Sequence, residues 1–248
     1  MVATQNGYKY IGSTAGLSTI KAGSHSTRVR KGDTATVLGW LVREINAACE
    51  TCTALYGWRT AATNRSVGGS SDSNHISGTA IDYNGARHPN EAAHGHARLA
   101  SGWSSHDTAA IRALLRALNG VVHWGADYAP GYRDYMHFDV RASTSALKRA
   151  AKKIRGGTVR TTAKVNVRES ASATGKVDRV VPKGFKFAYD GVVYRGGRLW
   201  LWAIPFVVGF GLLQLVPLYL PIVASHDFGK VLGSTEGHDL LRGNWPLF

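Results

Sequence analysis

The stretch Ser73-Asn74-His75-Ile76-Ser77-Gly78-Thr79-Ala80-Ile81-Asp82 decides how this chain is read. An imidazole and a carboxylate, both good zinc ligands, stand seven positions apart with a glycine between them that permits a sharp turn. Ala80 to Tyr83 reads as a strand, with Ala80 and Asp82 on one face and Ile81 and Tyr83 on the other. The small Ala80 leaves room beside Asp82 for a metal and a substrate.

A second stretch, Asp134-Tyr135-Met136-His137-Phe138-Asp139-Val140, completes the pattern. His137 opens a short strand whose apolar face holds Phe138 and Val140, so the imidazole points the other way. Asp134 lies three residues earlier, on the incoming loop, where it can stand beside a metal without binding it. Three protein ligands leave one zinc position for water, the arrangement of catalytic sites. Zinc lowers that water's pKa to about 7, and a neighbouring carboxylate can take its proton.

Outward from these motifs, helices are predicted over Thr34–Cys49, Asp107–Leu118 and Ser143–Ile154 from their apolar spacing. Val121–Trp124 and His137–Val140 read as strands. Residues 1–34 read as a polar stretch, and residues 55–90 lose helical period. His88, His94, His96 and His106 read as surface residues. Cys49 and Cys52 form a C-x-x-C pair without a second pair, and they end a helix, so no redox or metal role is assigned to them.

The motif S-x-H-x-x-G-x-A-x-D, followed by an acid three residues before a histidine, resembles the D-Ala-D-Ala carboxypeptidase and L-alanyl-D-glutamate endopeptidase family of zinc peptidases, which includes many phage endolysins. The resemblance covers roughly residues 28–142. It extends to Gly57-Trp58-Arg59-Thr60, Asn64 to Gly69 and Trp124 to Tyr128. It implies that His75, Asp82 and His137 bind Zn2+, that Asp134 is the catalytic acid, and that Arg59 and Ser73 engage the substrate. An arginine suits a carboxylate because its guanidinium binds in bidentate fashion. The aspartate at 134, where many carboxypeptidases carry glutamate, favours the endopeptidase branch.

Past Gly156-Gly157 the texture changes to Val/Thr alternation. Lys164 to Ser172, Gly175-Lys176-Val177, Pro182-Lys183-Gly184 and Gly197 to Trp200 resemble a bacterial SH3-type domain, similar to the wall-binding modules of endolysins. The match, over about 158–202, is shorter than a complete module, so its last strand is missing or replaced.

The expected architecture is therefore α+β. A zinc peptidase domain over 1–155, with a small antiparallel sheet flanked by helices, precedes a truncated SH3-like β-barrel over 156–202 and an apolar tail over 203–248. Leu199 to Ala224 holds no charged residue across 26 positions, long enough to span a bilayer at roughly 20 residues per crossing. Pro205, Pro217 and Pro221 weaken a helix there. Two readings of the tail stand side by side: a membrane segment over 199–224, or a change of reading frame after Trp202.

The net charge is +14 over 248 residues. Two basic and three acidic residues fall in 203–248, so the first 202 residues carry +15. Such a surplus attracts polyanions. Bacterial peptidoglycan with anionic wall polymers is the expected partner, and no nucleic-acid recognition motif is present. The N-terminal stretch lacks an apolar core of signal-peptide length. The expectation is a monomer made in the host cytoplasm, released by another factor and acting at the cell wall. A D-Ala-D-Ala carboxypeptidase and a non-catalytic, zinc-containing wall-binding protein are the competing readings.

Overall fold

The computed structural model describes residues 3–203 and 218–221. The chain divides into two compact units, Met1–Ala151 and Lys152 onward.

The first unit opens with a hairpin, β1 (Leu17–Ala22) and β2 (His25–Arg30), turning at Gly23 with φ +57°. This hairpin lies inside the stretch read as merely polar. Ile20, Ala22 and Val29 are buried, and its other side chains are largely polar, so the alternation that marks a strand carries few apolar residues. Helix α1 (Asp33–Ala48) packs on β1, and its Val37, Leu38, Leu41, Val42 and Ile45 are fully buried. Each such side chain contributes about 1.5–3 kcal/mol of burial free energy.

After β3 (Leu55–Tyr56) comes a short helix, α2 (Ala61–Ser66), within the stretch read as lacking helical period. Its sequence is too polar to show a period. It forms because the Thr60 hydroxyl caps it, accepting from the Thr63 N–H at 3.1 Å. Then follow β4 (Ala80–Tyr83), α3 (Ser105–Ala117), β5 (Val122–Trp124), β6 (His137–Val140) and α4 (Thr144–Arg155). Ser104 and Asp107 cap α3 reciprocally, side chain to backbone N–H in both directions, which makes a sharp helix start.

The strands β3, β4, β6 and β5 form an antiparallel sheet in that order. Ile81, Tyr83, Phe138, Val140 and Trp124 are buried in the core, with Trp124 stacked on Phe138 at 5.8 Å between ring centres. α3 packs on α1. The register places Asp82 directly opposite His137, and Tyr56 opposite Asp82.

One expectation fails here. His88 is not a surface residue but fully buried. Its ring lies flat on Trp103 at 3.5 Å, and its two nitrogens meet the Ser101 carbonyl (3.0 Å) and Glu50 Oε1 (2.7 Å). Its polar sequence neighbourhood concealed this, because both partners are distant in sequence. His94, His96 and His106 are exposed. Cys49 and Cys52 are free, and burial pushes the Cys49 thiol up to about 12, which keeps it an unreactive thiol.

The second unit is built of strands: β7 (Gly157–Arg160), β8 (Val165–Arg168), β9 (Val177–Val181), β10 (Lys186–Tyr189), β11 (Gly191–Arg195), β12 (Arg198–Ala203) and β13 (Leu218–Pro221). β7 pairs with β10, and the others form an antiparallel sheet in the order β11-β12-β13-β8-β9. Val167, Val181, Val192, Trp200, Leu201 and Leu220 are buried. Where a last strand was expected to be missing or replaced, β13 lies between β12 and β8. Of the stretch 199–224, residues 199–203 and 218–221 are strand rather than membrane helix, and the remainder lies outside the described residues. Among the described residues no helix is long and apolar enough to cross a membrane. The rest of the 203–248 tail also lies outside them.

Candidate metal centre

His75 sits in the tight turn that ends at Gly78. Gly78 has φ +66°, and a Cβ there would stand 2.8 Å from the Arg30 backbone nitrogen, so only glycine fits without a shift. The Arg30 N–H donates to the Gly78 carbonyl at 2.7 Å, tying the turn to β2. On the other side, Gly57 passes so close to β2 that a Cβ would meet the Arg28 carbonyl at 2.4 Å. That approach presents the Gly57 carbonyl to His75, whose Nδ1–H donates to it at 2.7 Å. The carbonyl can only accept, so the proton on Nδ1 is held there and Nε2 is the nitrogen that faces the cluster, the orientation device usual for metal-binding histidines.

That nitrogen stands 3.2 Å from Asp82 Oδ1 and 3.3 Å from His137 Nδ1, and His137 Nδ1 stands 3.0 Å from the same Asp82 oxygen. All three residues are buried. A tetrahedral ion with ligands at about 2.0–2.1 Å spaces them about 3.3 Å apart. The three donors therefore fit a zinc-sized ion in number, chemical type and separation, and their ligand atoms lie within 4.8 Å of one another.

The electrostatics agree. Burial raises the Asp82 carboxyl, but the charges and hydrogen bonds of His75 and His137 outweigh it and hold the group well below the usual carboxylate range. Burial lowers His137, yet its bond to Asp82 and the charge of that carboxylate push it up to about 9. The cluster is a place where a buried anion demands a cation.

Asp134 lines the same cavity, of about 810 Å³, together with the three ligands, Arg59 and Ser73. Its Oδ2 accepts from Asn90 Nδ2 at 2.8 Å, while its Oδ1 is buried with no hydrogen-bond partner. Desolvation pushes this carboxyl up to about 6, against the lowering effect of His137. A carboxyl balanced near neutrality suits proton transfer in both directions. Its backbone is fixed by Gly125, where a Cβ would collide with the Asp134 carbonyl at 2.3 Å.

Arg59 donates to Asp82 Oδ2 and lies 3.4 Å from His75 Nε2. Its guanidinium is thus anchored on a metal-ligand candidate rather than pointing freely into the cavity. The Ser73 hydroxyl accepts from the His75 N–H at 3.4 Å.

Three supports escaped the sequence reading. Asp139 is fully buried, and its Oδ2 accepts from Asn74 Nδ2 (2.5 Å) and Arg141 Nε (2.9 Å), which pins the residue next to His75. Its position two residues after His137, on the same strand face, was the available signal. Asn90 orients Asp134 from a loop with no motif. Glu91, also fully buried, accepts from the N–H groups of Leu99 (3.2 Å), Gly131 (2.7 Å) and Arg133 (3.2 Å) and from the Tyr135 hydroxyl (3.2 Å). It clamps together the two loops that carry Asn90 and Tyr132 beside the cavity.

Residues 20–112, less than half of the chain, match a family model described as Peptidase M15. The matched span holds Arg59, Ser73, His75 and Asp82 and stops short of Asp134 and His137. It supports a metallopeptidase of that type. No curated protein and no solved structure matches the chain.

Proposed function

We propose that the chain is a zinc-dependent peptidase that hydrolyses the peptide stems of bacterial peptidoglycan, cutting between L-alanine and D-glutamate. The observation that carries this reading is the convergence of His75, Asp82 and His137 on one point, with the half-buried Asp134 in the same cavity. When bound, zinc supplies charge that polarises an amide carbonyl and acidifies a water molecule. Asp134 takes the proton of the attacking water and returns it to the leaving nitrogen. Asn90 holds one Asp134 oxygen, so the other is left for the proton. Arg59, anchored by Asp82, offers its remaining N–H groups to a substrate carboxylate, and Ser73 offers its hydroxyl to the substrate backbone.

In this reading the second unit is a wall-binding module of SH3 type. Tethering it to the peptidase raises the local concentration of enzyme on a polymeric substrate, and the basic surface favours anionic wall polymers. The setting is a phage endolysin that reaches the wall from the host cytoplasm.

Digestion of purified peptidoglycan tests the reading. New L-alanine C-termini with D-glutamate N-termini, lost on chelation and regained with zinc, are the expected result. Free D-alanine would instead identify a carboxypeptidase. A digest indifferent to chelator would remove the metal mechanism, and no digestion at all with wall binding intact would leave a non-catalytic module.

A further inference from the structure

The cavity around the metal cluster differs chemically from the rest of the surface. The chain has 30 lysines and arginines, yet among the described residues Arg59 alone of them lines this cavity, and its guanidinium is bonded to Asp82. Apart from Arg59 and Asp134, which flank the metal cluster, the accessible polar lining is neutral, made by Gln5, Ser70, Ser73 and Asn90. Five large hydrophobic side chains stand out as exposed among the described residues, and three of them, Tyr56 (57 %), Val67 (60 %) and Tyr132 (58 %), line this same cavity.

Neutral amides and hydroxyls beside exposed aromatic rings suit an uncharged ligand rich in hydroxyl and amide groups and with flat apolar faces. A polyanion would call for lysines and arginines, which this chain has in quantity and places elsewhere. Tyr132 is held as a rigid platform. His96 leans against its ring at 4.6 Å, and His96 Nδ1–H donates to the Gly131 carbonyl at 2.9 Å. Glu91 grips the N–H groups on either side of Tyr132, those of Gly131 and Arg133. A fixed, exposed tyrosine loses little freedom on binding and presents a broad apolar face.

We propose that the groove beside the metal cluster is a subsite for an N-acetylated sugar, with Tyr132 as its stacking platform, so that the stem is taken while still attached to its glycan. This rests on the peptidase reading above and names the part of the substrate that lies beyond the peptide.

The test compares a free stem peptide with the same peptide carrying its N-acetylated disaccharide, using the zinc-loaded full chain. The wild type is expected to favour the sugar-bearing substrate in kcat/KM by about fivefold or more, the scale of one good aromatic contact. Tyr132→Ala and Tyr132→Leu bring that ratio to near one, and Tyr132→Phe keeps it. A wild-type ratio near one, or a ratio untouched by Ala and Leu, overturns the proposal. If neither substrate is cut, the peptidase reading fails instead, and the platform is read separately by NMR titration with N,N′-diacetylchitobiose. Upfield shifts of the sugar ring protons that vanish in Tyr132→Leu support the platform, and their absence in the wild type overturns it.

Discussion

Asp134→Asn separates the contribution of this residue to chemistry from its contribution to stability. The wild-type carboxyl gives up its proton at about 6 rather than at 3.8, because burial penalises its charge. Between those two values the folded protein holds a proton that the unfolded chain has lost. Stability therefore falls as pH rises through that window and levels off above it. The full difference corresponds to about 3 kcal/mol, and partial solvent access reduces it to about 1–2 kcal/mol. Asparagine keeps an oxygen to accept from Asn90 and carries no charge, so it removes this loss. The variant should match the wild type near pH 4 and exceed it by about 2–8 °C in melting temperature near pH 8. Calorimetry of the full chain in chelator, at one-unit steps of pH, measures this, since other titrating groups are common to both proteins and cancel to first order. Peptidoglycan hydrolysis by the zinc-loaded variant should fall at least about a hundredfold, the usual contribution of a general base. Two stability curves that run parallel from pH 4 to 8 would show that burial does not hold the proton on Asp134. Full activity in the variant would remove it from the mechanism.

Zinc binding to the chain should release about one proton at pH 7, because His137 keeps its proton up to about 9 in the metal-free cluster; calorimetric titration in buffers of different ionisation enthalpy counts it, and affinity should rise with pH towards 9. Gly78→Ala forces a side chain into a φ +66° turn and against the Arg30 backbone, which should cost about 1–2 kcal/mol or more and weaken zinc affinity, both measurable on one sample. Asp139→Asn puts an amide in place of the carboxylate that binds Asn74 and Arg141, so zinc affinity should drop about 10- to 100-fold, as for other supporting residues of metal ligands, with little change in overall secondary structure. Replacing Cys49 and Cys52 together by serine should leave the digest pattern and zinc content unchanged.

The legible parts of this chain were those where chemistry and period coincide. The helices α1, α3 and α4 fall within a residue or two of their apolar spacing, and β4 and β6 appear where alternating faces placed them. The convergence of His75, Asp82 and His137 was foreshadowed by two separated motifs whose residue types suit a metal and whose spacing resembles that of zinc peptidases. The β1–β2 hairpin and α2 were not readable, since their partners rather than their own apolar content hold them in place. His88 and Glu91 were misread or missed for a related reason. A buried polar residue is stable only through partners brought in by the fold, and no local pattern reveals Glu50, Trp103 or the loop N–H groups at a distance.

The same burial explains both the ligand cluster and the acid beside it. Asp82 and Asp134 are carboxylates of one cavity, yet one is held far below its usual range and the other well above it. Desolvation opposes ionisation at both. Asp82 is ionised because two imidazoles and Arg59 touch it, whereas Asp134 has one amide on one oxygen and nothing on the other. The charges and hydrogen bonds around them therefore sort two chemically identical groups into an anion suited to hold a metal and a reversible acid suited to move a proton. The glycines at 57, 78 and 125 allow the backbone approaches that keep this sorting in place. Filling any of them should disturb the chemistry even though none carries a side chain to take part in it.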